Sequence, residues 1–201
     1  MAKVEKFTEE IIMNSLVKYI KENGIDKFTV RDVSKYIGCS TQPLFRVFAN
    51  TDNLKKVLKK CLHKDYEKYI EKYVDKNNYL LTISYGYAMY AKEVSKAFRA
   101  LFITELAGTR TIEEVINSSW NRDTIEAMTN QYNITIKESE KVYRDVRFYT
   151  HGIACQLSCN SINMDKEELF NLINNMIDIC IKSIKSGDKY EKYNKQFKRS
   201  I

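Results

Sequence analysis

Residues 29–48 read TVRDVSKYIGCSTQPLFRVF, and this stretch carries the signals for two short helices joined by a tight turn. Thr29 is a suitable N-cap for the first helix, and Asp32 stands at the N3 position of a capping-box-like arrangement. Gly38 can adopt the left-handed conformation that ends a helix, and Ser40 predicts the N-cap of the next one. The turn is therefore short enough to hold the second helix at a steep angle to the first.

Two more helices flank this pair. Thr8, followed by acidic residues, predicts an earlier helix that ends at Gly24, and Thr51 predicts the N-cap of a later one. Pro43 falls in the first turn of its helix, where a missing N–H group costs nothing. The pattern is typical of a helix-turn-helix unit, whose last helix suits the roughly 12 Å wide major groove of B-DNA.

The positive charge is concentrated in the same part of the chain. The net charge of the 201 residues is +7, and residues 1–60 hold 12 Lys and Arg against 7 Asp and Glu. The remaining residues hold 21 against 19. Such an excess favours a polyanionic partner for the first third of the chain.

Residues 29–48, together with ANTDNL at 49–54, resemble the tetracycline-repressor (TetR) family of bacterial regulators in caps, turn and aromatic positions. The resemblance implies an all-α protein, with an N-terminal three-helix helix-turn-helix DNA-binding domain and a C-terminal helical ligand-binding and dimerisation domain. The first domain is expected at 1–50, a connecting helix at 51–73 and the second domain at 74–201.

Three polar residues, Thr41, Gln42 and Arg46, fall on the outer side of the second helix of the pair. Gln can bond adenine through two hydrogen bonds, and Arg can bond guanine or phosphate. The simpler interpretation is a solvated helix face, but the surrounding module favours DNA. The predicted DNA-binding residues are Thr29, Arg31, Ser40, Thr41, Gln42, Phe45, Arg46 and Lys55. Phe45, Val47 and Thr51 stand where family members often carry polar groups, which leaves fewer side chains for phosphate contact.

The chain beyond residue 73 is also expected to be helical. Helices are predicted at about 79–92, 95–108, 111–131, 137–160 and 165–186. The family resemblance implies a pocket for an unknown small-molecule inducer and a homodimer through the last two helices, at about 137–186. Aromatic residues that could line the pocket are Tyr85, Phe98, Phe102, Trp120 and Tyr149, although core packing explains such residues equally well.

His151, Cys155 and Cys159 recur every four residues and so share one helix face. They could form a metal or thiol site, but zinc needs about four ligands and only three fall in this row. Buried cysteine also packs as a small apolar side chain, which favours a helix–helix contact. We expect no metal and no cofactor. His63 and Lys64 are expected to continue a basic, solvated helix face.

Five cysteines without a disulfide-scaffold spacing, and no leader-like segment, favour a reducing cytoplasmic location. No apolar run reaches the roughly 20 residues of a membrane helix, so we expect no membrane partner. Catalytic motifs of the common enzyme classes are not evident, and we expect no enzyme. The expected function is a regulator, most simply a repressor, that a small molecule releases from a double-stranded DNA operator. The alternatives are a helical small-molecule-binding protein or enzyme with a vestigial helix-turn-helix, and a DNA-organising protein without an inducer.

Overall fold

Capping residues and apolar spacing divide the chain into helices with short connections. The computed structural model describes residues 7–187, apart from the side chains of Glu105 and Trp120, and residues 188–201 lie outside this range. Within the described range the regular structure consists of helices alone. The α-helices are α1 (Glu9–Asn23), α2 (Val30–Ile37), α3 (Gln42–Phe48), α4 (Thr51–Ile70), α5 (Tyr79–Glu93), α6 (Ser95–Phe102), α7 (Ile112–Ile116), α8 (Ser119–Tyr132), α9 (Ile136–Ser158) and α10 (Lys166–Ser186), with short 3-10 helices at Lys76–Asn78 and Glu105–Ala107.

The first two helices begin and end where the sequence predicts. The side chain of Thr8 accepts a hydrogen bond from the backbone N–H of Ile11, and Gly24 follows α1 with a φ of +82°. Thr29 caps α2 by accepting from the backbone of Asp32. Gly38 ends α2 in the left-handed conformation with a φ of +78°, which glycine adopts without a Cβ penalty. These contacts confirm the predicted turn between α2 and α3.

The predicted caps of α3 and α4 were each wrong by one residue. The N-cap position of α3 is Thr41 rather than Ser40, and the Thr41 side chain makes no capping hydrogen bond. Asn50 rather than Thr51 caps α4, because its side-chain oxygen accepts from the N–H of Asn53 at 2.9 Å.

A tight turn explains the shift at α4. Ala49 has a φ of +62°, and the N–H of Asn50 donates to the carbonyl of Phe48 at 2.7 Å. This three-residue turn reverses the chain at once, so Asn50 is the last extended residue before α4.

One predicted helix is two helices in the structure. Residues 111–131 divide into α7 and α8, because Asn117 and Ser118 leave the helical conformation between them. The amide of Asn121 stabilises this break by donating to the carbonyl of Val115 at 2.6 Å. Similarly, α6 ends at Phe102, well before the predicted end at 108.

Two apolar clusters hold the helices together. The first joins α1–α3 to α4 and α6, and includes the fully buried Leu16, Leu58 and Phe98. The second lies among α5, α8, α9 and α10. α5 contributes residues to both clusters, and it packs along α9. Among residues 7–187, no helix combines the length and apolar character needed to cross a lipid bilayer.

Candidate DNA-binding surface and ligand cavity

The short helix α3 has one buried and one exposed side. Leu44 and Phe48 are buried in the first apolar cluster and fix the helix against α4. Gln42, Phe45 and Arg46 point away from that cluster and are exposed. Phe45 is 45% exposed, which is unusual for an aromatic ring in the absence of a partner.

The remaining predicted DNA-binding residues lie on α2, on α4 or next to the ends of α2 and α3. Thr29, Arg31, Ser40 and Lys55 are exposed, and Thr41 is half-buried. Together the exposed predicted residues include an amide, two guanidinium groups, a lysine and an apolar ring. These are the groups that bond base edges and phosphates or contact a thymine methyl in the major groove.

Two adjoining cavities open in the C-terminal part, with volumes of about 180 Å³ and 160 Å³. Helices α4, α5, α6 and α9 enclose them together with α7 and the start of α8. Both cavities share five lining residues, namely Tyr87, Phe102, Arg110, Tyr143 and Arg147. They therefore form one two-lobed space, which we call the cavity.

Aromatic rings make the apolar wall of the cavity. The ring of Phe102 lies edge-on to the rings of Tyr66 and Tyr87, with centroids 5.2 and 5.1 Å apart. Tyr66 and Tyr87 are also edge-on to each other at 6.2 Å. These three rings pack edge-on against one another and present ring surface to the cavity.

Two arginines give the cavity a positive charge. Among the described residues, neither Arg110 nor Arg147 has a carboxylate within ion-pair distance. Arg147 makes one long contact, from Nη1 to the hydroxyl of Tyr143 at 3.4 Å. Of the side chains that the structure describes in the lining, Glu67 is the one carboxylate, and a third lining arginine, Arg144, pairs with Asp145 at 2.9 Å.

Both histidines of the chain line the cavity and are held in the neutral form. Burial lowers the pKa of His63, and the nearby Arg110 and Lys59 lower it further against the opposing effect of Glu67. Burial also lowers the pKa of His151, and Arg147 adds to this shift. The prediction that His63 faces solvent was wrong, because its ring packs against Tyr66 and Phe102.

Tyrosine hydroxyls supply neutral hydrogen-bond donors in the same space. Burial raises the pKa of Tyr66, Tyr87 and Tyr143, so these phenols remain protonated. Thr150 also lines the cavity, is 2% exposed, and its hydroxyl has no hydrogen-bond partner among the described residues.

The predicted ligand-binding aromatics are distributed unevenly. Phe102 lines both lobes, and Phe98 lies fully buried behind the wall, 5.2 Å from the rings of Tyr87 and Phe102. Tyr85 packs between Tyr73 and Phe170, away from the cavity lining. Tyr149 packs with the second apolar cluster, and the side chain of Trp120 lies outside what the structure describes.

The row of His151, Cys155 and Cys159 begins at the cavity wall. Nδ1 of His151 lies 2.8 Å from the hydroxyl of Tyr87, and Nε2 lies 3.5 Å from Sγ of Cys155. Cys159 is exposed. In residues 7–187 no group of three His, Cys, Asp or Glu side chains could hold a metal ion. Of this row, His151 joins α9 to α5 through its contact with Tyr87.

Sequence reasoning missed most of the cavity residues, although helical spacing points to them. His63, Tyr66 and Glu67 lie at i, i+3 and i+4 on α4 and face the cavity together. Tyr143 and Arg147 have the same spacing on α9. Polar residues on the inner face of a helix, among otherwise apolar positions, are the signal that could have found them.

The helix α4 connects the cavity to the DNA-binding surface. Its first turns pack beneath α1 and α3 through Leu54 and Leu58, and its later turns carry cavity residues. Nζ of Lys59 donates to the carbonyl of Ala107 at 2.6 Å, which ties α4 to the segment that leads into Arg110.

Solved structures with the same fold are known. A chain from Rhodococcus sp. assigned to the TetR family of transcriptional regulators matches with a TM-score of 0.62 and 14% identity, over 86% of this chain and 97% of that one. A TetR-like transcriptional regulator from Rhodococcus sp. RHA1 matches with a TM-score of 0.58 and 11% identity, over 84% and 92%. A variant of TetR from Acinetobacter baumannii AYE, in complex with minocycline, matches with a TM-score of 0.57 and 14% identity, over 92% and 99%.

No protein-family model matches the sequence, and neither does any curated protein. The likeness is thus one of architecture, and it confirms the all-α class and the two-part organisation that residues 29–54 predicted. The chain has the fold of the TetR-family transcriptional regulators, with an N-terminal helix-turn-helix and a helical C-terminal part.

Proposed function

We propose that this chain is a sequence-specific DNA-binding regulator of transcription, whose affinity for its operator depends on a small molecule bound in the cavity. The observation that carries the proposal is the exposed face of α3, where Gln42, Phe45 and Arg46 stand together above a buried Leu44 and Phe48. These three exposed side chains do not contribute to the apolar core. An amide, a guanidinium group and an aromatic ring on one helix face can contact base edges in the major groove.

The protein acts as a homodimer in this proposal, and α9 and α10 form the interface. Ile179 on α10 is 63% exposed and Phe148 on α9 is 54% exposed, although both are large apolar residues. Exposed apolar residues on the last two helices favour burial against a second copy of the chain. A two-fold dimer then presents two copies of α3 to half-sites about one helical turn apart, roughly 34 Å.

Ligand control follows from the two roles of α4. A molecule that contacts His63, Tyr66 or Glu67 touches the same helix that supports α3. The ligand binds more tightly to a form of the dimer in which the spacing of the two α3 helices does not match the half-sites. Operator affinity then falls by the ratio of the ligand's affinities for the two forms. Such a regulator is a repressor released by its ligand, and it acts in the bacterial cytoplasm.

The test is a fluorescence-anisotropy titration of the full chain with the DNA that flanks its own gene, at two salt concentrations. We expect preference for this DNA over a scrambled duplex, and an affinity that falls as salt rises because phosphate contacts release counterions. Equal affinity for both duplexes would contradict the proposal. Tight binding of a small molecule without any effect on DNA affinity would favour a helical binding protein or enzyme with a vestigial helix-turn-helix.

A further inference from the structure

The charges around the cavity specify what it can hold. Arg110, Arg144 and Arg147 contribute three positive charges, Asp145 balances that of Arg144, and Glu67 contributes one negative charge. His63 and His151 are counted as neutral near pH 7, since burial lowers the pKa of both rings below its usual 6.5. The lining therefore carries a net charge of about +1, on this count of ionised groups.

A guanidinium group in a partly enclosed space is costly without a counterion. Arg147 is half-buried, and its contact with the neutral Tyr143 hydroxyl does not balance its charge. The planar fork of an arginine matches a carboxylate through two parallel hydrogen bonds. A bound carboxylate would supply the missing counterion.

The apolar wall defines the rest of the ligand. Each lobe, at about 180 and 160 Å³, is close to the roughly 150 Å³ of a cavity that accepts a benzene ring. The rings of Tyr66, Tyr87 and Phe102 form one continuous surface for stacking or edge contact. A flat ring therefore fits a lobe better than a bulky aliphatic group.

Unpaired polar groups in the lining point to a ligand as well. The hydroxyl of Thr150 is buried, has no partner among the described residues, and follows Arg147 by one helical turn. Burying a hydroxyl without a hydrogen bond is unfavourable, and such groups recur where a ligand completes the site. The protonated phenols of Tyr66 and Tyr143 provide further donors for an anion.

We propose that the cavity binds a planar aromatic monoanion, whose carboxylate pairs with Arg110 and Arg147. Its ring lies against Tyr66, Tyr87 and Phe102. This inference rests on the proposed function in one respect, namely that the cavity is the regulator's ligand site. It adds the charge and the shape of the ligand.

Calorimetric titration of the full chain with three probes of one skeleton tests the proposal. The probes are cinnamate, which is a monoanion, its neutral isostere cinnamamide, and the cation cinnamylamine. We expect cinnamate to bind about tenfold more tightly than cinnamamide, because a hydrogen bond to a charged group is the stronger one, and cinnamylamine to bind most weakly. Equal affinities for cinnamate and cinnamamide, or binding of none of the three, would overturn the proposal.

Substitutions that should change cinnamate affinity in opposite directions make the test more specific. Arg147→Gln or Arg110→Gln should weaken cinnamate binding about tenfold and leave cinnamamide binding nearly unchanged. Arg110 lies on an exposed segment, so its variant remains informative if the Arg147 variant fails to fold. Glu67→Gln removes the negative charge found among the described lining residues and should tighten cinnamate binding.

The matched control is Arg99→Gln, on α6, since Arg99 is exposed, pairs with Asp26 at 4.0 Å and does not line the cavity. Its cinnamate affinity should equal that of the unchanged chain. An identical loss in the Arg99 and Arg147 variants would overturn the assignment of Arg147. The titration contains no DNA, so it measures cinnamate binding independently of operator binding. A chain that fails to bind the operator can still bind cinnamate, and a chain that fails to bind cinnamate can still bind the operator.

Discussion

The hydroxyl of Tyr87 lies 2.8 Å from Nδ1 of His151, and this hydrogen bond joins α5 to α9 at the wall of the cavity. Nε2 of the same ring lies 3.5 Å from Sγ of Cys155. A neutral imidazole has one donor and one acceptor nitrogen, so both of its nitrogens have a partner here. The contact therefore fixes the orientation of a ring that lines the cavity.

Tyr87→Phe should lower the free energy of unfolding by about 1–2 kcal/mol, because it leaves Nδ1 of His151 without its partner and keeps the aromatic packing. The matched control is Tyr90→Phe. Tyr90 is fully buried on α5, but its hydroxyl has no partner among the described residues, so its removal should be neutral or stabilising. Chemical denaturation of the two variants measures the difference. Equal losses would show that the hydrogen bond to His151 contributes nothing.

Stability should fall as the pH drops from about 7.5 to 5.5. Burial lowers the pKa of both His63 and His151 in the folded chain below the usual 6.5, so the unfolded chain binds more protons in this range. The loss begins near the unfolded pKa and levels off below the folded one. Thermal unfolding across this range checks the slope.

The double variant His63→Gln/His151→Gln is the control for this slope, since the chain has only these two histidines. Its melting temperature should vary less between these pH values than that of the unchanged chain. A slope that both proteins share would assign the effect to carboxyl groups instead.

Gly86 on α5 marks a close approach between helices. A Cβ at this position would lie 3.1 Å from Cδ2 of Tyr73 and 3.2 Å from Cδ1 of Ile70. Gly86→Ala should therefore lower the free energy of unfolding by about 1 kcal/mol, because the crowding exceeds the gain in helix propensity.

Gly152, in the interior of α9, is the matched control because a Cβ there would meet nothing within 4 Å. In the monomer, Gly152→Ala should raise the free energy of unfolding by about 0.5–1 kcal/mol. Denaturant titration of both variants decides the comparison. A less stable Gly152→Ala chain would indicate that a second copy approaches α9 at this residue.

Gln42→Ala and Arg46→Ala should each weaken operator binding by about 1–3 kcal/mol if the side chain makes a bidentate contact with a base. Anisotropy titrations with operator and scrambled DNA separate this loss from a uniform loss of phosphate contact. Lys137→Ala, an exposed substitution at the start of α9, should leave both affinities unchanged. Unaltered operator affinity in both α3 variants would mean that another face of the module meets DNA.

Ile179→Glu should shift the chain from dimer to monomer, because it places a charge within the proposed apolar interface on α10. Sedimentation or light scattering at micromolar concentration measures the mass. Lys185→Glu changes the charge at another exposed position of α10, about 120° around the helix from Ile179, and is the control for a general charge effect. A dimeric Ile179→Glu chain would place the interface elsewhere.

The helix-turn-helix could be predicted from the sequence because its signals are local. Thr29, Gly38 and Pro43 act through backbone geometry within one or two turns, and such effects need no knowledge of the rest of the chain. The cap of α4 was misplaced because the positive φ of Ala49, a conformation that favours glycine, has no signature in its residue type.

The cavity could not be predicted to the same extent, because tertiary contacts create it. Phe102 was expected to line it, whereas Tyr85 was also expected there and packs against Phe170 instead. Aromatic residues look alike in a sequence, whether they face a cavity or a neighbouring helix. The side chains that set the cavity's charge, Arg110 and Arg147, come from segments that are distant in sequence and meet only in the fold.

Because α4 is continuous, the number of residues between its DNA-binding end and its cavity end sets how the two are oriented relative to each other. Each residue of a helix adds about 100° of rotation and 1.5 Å of rise, so a residue inserted between Leu58 and His63 would rotate the cavity-facing groups by about 100° relative to the DNA-binding module. A four-residue insertion would restore the angle to within about 40° and displace the module by about 6 Å. The number of residues between these two positions is therefore a structural parameter of the regulator, although none of the four intervening side chains lines the cavity.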